Sequence, residues 1–384
     1  MKTTLVMLAT MTACFRYSEP PVEPPAPKLR NIAEATILDM KVSLYKQKGL
    51  CPGMQGKLYA DAMVQWPGSE PVKRNIGSDV DSLQPTSFQV SGPLVKGDAN
   101  AHLHPSADVL ASVETGFRAK IVYAPLPKFT FDVEFPPEYT CFTGFWDNGT
   151  PGRAGLTGSG GANGDWGQNG GPAGHGTEGG FAGRGGRVSA FVTIVRTKFH
   201  PKLIAVIANN VFFLAPPDVP LTFGAVGGQG GPGGDGGQGG AGGNQATESR
   251  EVWDPDANAK VNKWFGVGGA GNGGAGGNGA SGGRGGDGGT VEVIYDSRFP
   301  ELARLIRTDV RGGAGGEPGA AGSGGNGGNS DAEQNAVVGA GGPAGVPGEY
   351  RGQDGRAGSQ RVKAGEVFSK FAKLRGIELA GGRK

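Results

Sequence analysis

Short apolar stretches separated by turn residues run from residue 31 to 145. Ile37, Met40, Val42 and Leu44 open the series, and Leu58, Ala60, Ala62 and Val64 alternate with their neighbours. A period of two is that of a half-buried strand. Phe88 and Val90, then Val109 to Val113, Ala119 to Tyr123, and Phe129, Phe131 and Val133 continue the pattern. Cys51-Pro52-Gly53 and Trp66-Pro67-Gly68 read as turns. Strands at a spacing of roughly 10–15 residues predict an antiparallel β-sandwich over 31–145.

Beyond 145 the apolar alternation gives way to a period of three. Gly149, Gly152, Gly155, Gly158, Gly161 and Gly164 recur at every third residue, and the phase slips by one at Gly170-Gly171. In 226–244 only Gln229, Pro232, Asp235, Gln238 and Ala241 interrupt a G-G-x run. A third block places Asn272, Ala275, Asn278, Ser281, Arg284, Asp287 and Thr290 three apart. A fourth runs from Arg311 to Asn329, with Pro318 and Ala321 in glycine places, and a fifth, looser block from Gly339 to Gly358. Three residues per turn is neither α-helix nor strand but the left-handed polyproline-II helix, which has no internal hydrogen bonds. A glycine edge lets another backbone approach and satisfy its free amides. G-G-x blocks, with two bare edges, are therefore expected inside a bundle and G-x-y blocks at its rim.

Competing readings fit less well. Collagen needs abundant proline and three chains. A calcium-binding repeat needs a large apolar residue that Gly233-Gly234-Asp235-Gly236-Gly237 lacks. A flexible linker would not keep so strict a phase. The blocks resemble the packed polyglycine-II helices of the snow flea antifreeze protein and of some phage tail-fibre adhesin tips. That resemblance lies in the repeat over 146–358, not in any functional residue.

The connectors repeat as well. Gly186-Arg187-Val188 leads through Phe191, Val192, Ile194 and Val195 to Phe199-His200-Pro201, and Gly289-Thr290-Val291 through Val293 and Ile294 to Phe299-Pro300. Strand pairs over 187–225 and 290–310 are thus expected between glycine helices, as a repeat array. Ordering a glycine costs about 1–2 kcal/mol, and a hydrogen bond returns a net of about 1 kcal/mol. The apolar strands must therefore supply what the glycine bundle lacks. The predicted fold class is mostly β with non-regular polyglycine/polyproline-II helices: an N-terminal β-sandwich, then a strand-plus-helix array. Residues 359–384 form a basic C-terminal segment. Its Val367, Phe368, Phe371 and Leu374 have helical spacing, read either as a surface-anchoring amphipathic helix or as an element packed on the array.

The first residues set the compartment. Lys2, an apolar run from Leu5 to Met11 and the small residues Thr12 and Ala13 form a signal peptide over 1–13. Met11-Thr12-Ala13-Cys14 resembles a bacterial lipobox, which implies a lipidated Cys14. Phe15 does not match an inner-membrane retention signal, so the resemblance implies an outer-membrane lipoprotein, on its periplasmic or surface-exposed face. Residues 14–30 then form a proline-rich tether. With Cys14 lipidated, Cys51 and Cys141 remain as an even pair in an oxidising compartment, and a disulfide is expected between them.

Of 384 residues 76 are glycine, which rules out an ordinary side-chain core over the whole chain. Lys plus Arg number 37 and Asp plus Glu 35, a balance that argues against a nucleic-acid partner. His102 and His104 form an H-x-H pair with no obvious third metal ligand, and no catalytic motif stands out, so no metal, cofactor or enzymatic activity is expected. The chain reads as a cell-surface scaffold or adhesin, held by its lipid in the outer membrane and facing a glycan or protein ligand. Candidate contact residues are Asp235, Asn244, Asn272, Asn278, Arg284, Asp287 and Asn326. Two alternatives are binding to ice or a crystal surface, which would favour a uniform Ala, Ser or Thr edge, and a β-domain enzyme or carbohydrate-binding module.

Overall fold

A computed structural model describes residues 30–330 and 337–380. The signal sequence, Cys14 and almost all of the tether lie outside the described residues. The fold is mostly β, with 34% strand and 6% helix spread over several sheets.

The alternation at Leu58, Ala60, Ala62 and Val64 buries all four side chains on one face of β2 (Gly56–Gln65). This strand pairs antiparallel with β1 (Thr36–Leu44), β3 (Val72–Asn75) and β6 (His102–Pro105), and β5 (Val95–Gly97) pairs with β6. A second antiparallel sheet contains β4 (Phe88–Ser91), β7 (Phe117–Tyr123) and β8 (Thr130–Phe135). Leu58, Val64, Phe88, Leu103, Phe117 and Ile121 belong to one core shared by both sheets. The Val109–Val113 run, expected as a strand, is instead part of helix α1 (Val109–Thr115). Asp108 caps it by accepting from the Ala111 amide at 3.0 Å, and Gly116, at φ 65°, ends it. The cap outweighs the strand preference of the β-branched residues because one side of the helix, Val109 and Val113, is buried.

Two further sheets face each other across a second core. In one, β9 (Gly144–Trp146), β13 (Leu221–Gly224) and β17 (Ile306–Asp309) lie parallel, with β13 central. In the other, β10 (Arg187–Arg196), β16 (Thr290–Asp296) and β18 (Ser359–Gly365) lie parallel, with β16 central. β11 (Leu203–Ala208), β12 (Val211–Ala215) and the short β19 (Glu378–Leu379) extend it antiparallel. Asn209 and Asn210, both at positive φ, make the two-residue β11–β12 turn, as a type I′ hairpin requires. Val188, Val192, Leu221, Phe223, Val291 and Val293 are buried in the shared core. Residues 290–310 do not form a strand pair. After β16 the chain passes through α2 (Leu302–Leu305) into β17, which lies in the opposite sheet. Likewise 187–225 holds four strands, of which β13 crosses over.

Each of the six parallel strands is directly continuous with a glycine segment, which follows three of them and precedes the other three. β9, β13 and β17 run into segments one (147–167), three (225–245) and five (310–330). Segments two (168–186), four (269–289) and six (337–358) run into β10, β16 and β18. The long first block of the sequence is thus two segments, joined by a turn in which Gln168 donates to the Asp165 carbonyl at 2.8 Å. Between segments one and three, and between three and five, hydrogen bonds recur at every third residue in parallel, as in Gly152 to Gln229 and Gly230 to Ala314. Segments two, four and six are linked in the same way, as in Gly176 to Asn278 and Gly276 to Pro343. Consecutive segments bond antiparallel, as in Gly231 to Gly180 and Gly283 to Gly231. The result is two layers of three segments. Segments three and four, both G-G-x, bond to four others each, while one and six bond to two.

One register governs sheets and segments alike. Gly144 pairs with Thr222 in the sheet, and the Asn148 side chain meets Val226 at the same separation of 78 residues. Arg187 pairs with Thr290, and Asn169 meets Asn272 at the same separation of 103. The glycines admit this spacing: a Cβ on Gly231 would fall on the Arg153 carbonyl oxygen.

The N-terminal region is joined to this array by buried side chains. Val109, Val113 and Tyr139 pack with Val195, Leu203, Leu214 and Phe371 over the outer face of the six-stranded sheet. The His200 ring donates to the Pro137 carbonyl at 2.8 Å, and Lys198 pairs with Glu134 at 2.9 Å. In the C-terminal segment Val367 and Phe371 are buried around α3 (Phe368–Phe371), while Phe368 and Lys370 are exposed. Cys51 and Cys141 stand at disulfide distance, with Cα atoms 6.4 Å apart.

Candidate functional site

In segment three the glycines are largely buried and Gln229, Pro232, Asp235, Gln238 and Asn244 are exposed. Segment three therefore presents one outward lane, whereas segments one and six expose two residues in every three. The seven candidate contact residues all lie on such lanes, but they are divided. Asp235, Asn244 and Asn326 belong to the layer of segments one, three and five. Asn272, Asn278, Arg284 and Asp287 belong to the other layer. They do not form one site.

Most of them also do structural work. An outward residue has a backbone N–H that no neighbouring segment accepts, and a side-chain oxygen from the adjacent segment takes it. Asp235 accepts from Ala320 at 2.7 Å and Asn244 from Asn329 at 2.9 Å. Asn272 accepts from Ala340 at 2.9 Å, Asn278 from Val346 at 3.1 Å and Asp287 from Arg356 at 2.9 Å. Asn148, Asn163 and Asn169 do the same for Val226, Ala241 and Asn272. These rungs spread Asn and Asp along the lanes for a reason other than ligand contact. Asn326 is exposed and meets Gly242 through its backbone carbonyl. Arg284 pairs with Asp287 at 2.9 Å.

At the end of the array away from the sheets, segments three and four are connected by a hairpin, β14 (Ala246–Asp254) and β15 (Ala259–Val267). Ser249 pairs with Trp264 and Trp253 with Lys260, so both tryptophans lie on the same face of the hairpin. They are 61% and 72% exposed, and Trp166 in the nearby turn is 67% exposed. The sequence reading missed this tip. The signal was there, in the alternation of β14 and β15 around Asp254-Pro255-Asp256, but it was masked by the glycine blocks on either side.

Among the described residues no cluster of His, Cys, Asp and Glu could hold a metal ion. The H-x-H pair serves a carboxylate instead: His104 and His102 lie 3.0 and 3.3 Å from Asp98 Oδ2. The contact with His104, followed by the backbone N–H of His102, holds the Asp98 carboxyl far below its usual range. A cleft of about 440 Å³ beside β7 and β8 carries Arg118, Lys120, Asp132 and Glu134, and Glu134 is engaged by Lys198 and Arg118. No described helix is long and apolar enough to cross a membrane. Compared with family models, curated proteins and solved structures, the chain matches none.

Proposed function

We propose that this chain is a non-enzymatic lipoprotein that acts as a rigid scaffold or adhesin. On this reading the six glycine segments are polyglycine-II helices, Cys14 carries the lipid that holds the protein in the outer membrane, and the N-terminal region is a β-sandwich. The array carries the tryptophan-bearing tip away from the anchored end, towards a glycan or protein ligand. The observation that supports this most is the recurrence of inter-segment hydrogen bonds at every third residue, continuous in register with the flanking sheets. A loose glycine linker has no reason to keep such a register. The mixed Gln, Pro and Asp of the outward lanes fit an ice-binding edge poorly. The test is native-state amide exchange on the mature protein. Protection of the segment-three glycines near that of β10 is expected, and exchange as fast as in a free peptide would sink the scaffold. Fractionation of a Cys14→Ser variant tests the anchor, with loss of membrane attachment expected.

A further inference from the structure

The outer lane of the layer formed by segments two, four and six becomes strongly basic where it meets the sheet. The hydrogen bonds Ala182 to Arg284, Gly185 to Asp287 and Gly288 to Arg356 set its cross-chain levels. Arg184, Asp287 and Arg356 therefore stand side by side. One level further, Arg187 is in register with Thr290, and beyond it Arg361 pairs with Glu292 across β18 and β16. Two carboxylates are each surrounded by cations: Asp287 by Arg284, Arg356 and Arg184, and Glu292 by Lys363, Arg361 and Arg187. Arg284 pairs with Asp287, and Lys363 pairs with Glu292 at 2.8 Å. Arg184, Arg187, Arg356 and Arg361 are exposed and have no ion-pair partner among the described residues. Positive charge is thus left over on one flat face of a chain whose overall balance is only +2.

The same face carries an apolar seat. The Phe181 ring is 82% exposed, and a hollow of about 290 Å³ lies between it, Arg184, Arg284 and Asp287. The Arg184 guanidinium has no ion-pair partner among the described residues and gives only its Nε–H to the Gly288 carbonyl at 3.4 Å. An exposed aromatic ring beside it suits a sugar ring that bears a carboxylate or sulfate. The ring face stacks on the aromatic, and the planar anion takes two parallel N–H bonds from an arginine.

We propose that this face binds an extended acidic polysaccharide, with one sugar seated on Phe181 and its neighbours' anionic groups on Arg184, Arg187, Arg356 and Arg361. The choice of a sugar polymer over a nucleic acid rests on the surface-lipoprotein reading above. The basic face itself does not.

The test is binding of the full mature protein to alginate, a linear polyuronate, with neutral dextran and duplex DNA as comparison ligands. Alginate should bind with an affinity that falls as salt rises, and dextran should not bind. An Arg184→Ala/Arg356→Ala double variant should lose at least tenfold in affinity with its melting temperature unchanged, and Phe181→Ala should lose severalfold. Arg153→Ala, exposed on segment one in the other layer, should bind as the parent does. Equal binding of dextran, tighter binding of DNA than of alginate, or a double variant as strong as the parent would overturn the proposal. A failed anchor shows separately, as an unchanged membrane fraction in Cys14→Ser.

Discussion

Thr177 and Ala280 meet at one glycine. Gly234 donates its N–H to the Thr177 carbonyl at 2.9 Å, and its own carbonyl accepts the Ala280 N–H at 3.0 Å. Both residues occupy positions that are glycine one step before and after in their segments, so the two departures fall on the same level of the array. On the Ala280 side the neighbouring bonds from Gly277 and Gly283 are 2.8 Å, so the bond widens there, whereas on the Thr177 side the neighbouring bonds to Gly174 and Gly180 are 3.0 Å and no widening is seen. Thr177 also uses its hydroxyl, which accepts from the Leu156 amide at 2.7 Å.

This pairing separates tolerated from forbidden methyl groups. Gly231→Ala should destabilise by about 3 kcal/mol or more, the scale of an overpacked core, because its Cβ would meet the Arg153 carbonyl. Ala280→Gly should cost no more than about 1 kcal/mol, through the freer unfolded chain. Thermal melts of the two variants check the contrast, and equal losses would contradict it.

The side-chain rungs should be measurable one at a time. Asn272→Ala and Asn278→Ala should each cost about 1 kcal/mol and speed amide exchange at Ala340 and Val346. Asn326→Ala should stay within about 0.5 kcal/mol of the parent. Exchange that is unchanged at Ala340 and Val346 would show that water serves those amides equally well.

The glycine layers should depend on the apolar core. Val192→Asp places a charge in a fully buried position between the two sheets, where an unpaired charge has no compensation. The variant should lose protection of the glycine amides along with that of β10. Protection kept in segments three and four after β10 has opened would break the proposed coupling.

Acid should weaken the junction at Asp296. This carboxyl is pushed up by burial, but hydrogen bonds from Arg298 and from the Thr193 hydroxyl outweigh that and hold it below its ordinary value. A depressed folded-state pKa contributes stability that is full above the unfolded value, near 4, and is lost as pH falls through the folded one. The melting temperature should therefore drop on acidification below about pH 4, and the drop should be smaller in Asp296→Asn. Identical pH profiles would remove Asp296 from the account.

Reduction should act on the N-terminal region. The Cys51–Cys141 pair closes a separation of 90 residues, for which a chain-entropy treatment gives about 4 kcal/mol. Calorimetry with and without reductant should show an earlier transition for that region.

The period of three was legible because glycine spacing is a direct record of which edge another backbone must approach. The phase slips were legible as positions but not as events. The slip at Gly170-Gly171 follows a reversal of the chain at Asp165–Gln168. In the looser last block the step from Gly348 to Gly352 spans four residues, since Gly279 bonds to Val346 and Gly282 to Tyr350. Pro318, which has no N–H, sits beside that step, and its Cβ approaches the position of a Cβ on Gly348. The strand signals of 31–145 were mostly readable, but Val109–Val113 was not, because capping by Asp108 decides it. Which sheet β16 and β17 join depends on contacts far apart in the chain, and no local pattern encodes them. The contact residues were picked for polarity, and polarity here also serves amides that glycine neighbours cannot reach.

The common register has a consequence for how such a molecule can change length. Three extra residues in one segment would set it one level out of step with every segment it touches. Growth must come as a whole storey, three residues in each segment at once, so the array can lengthen only in discrete, coordinated increments.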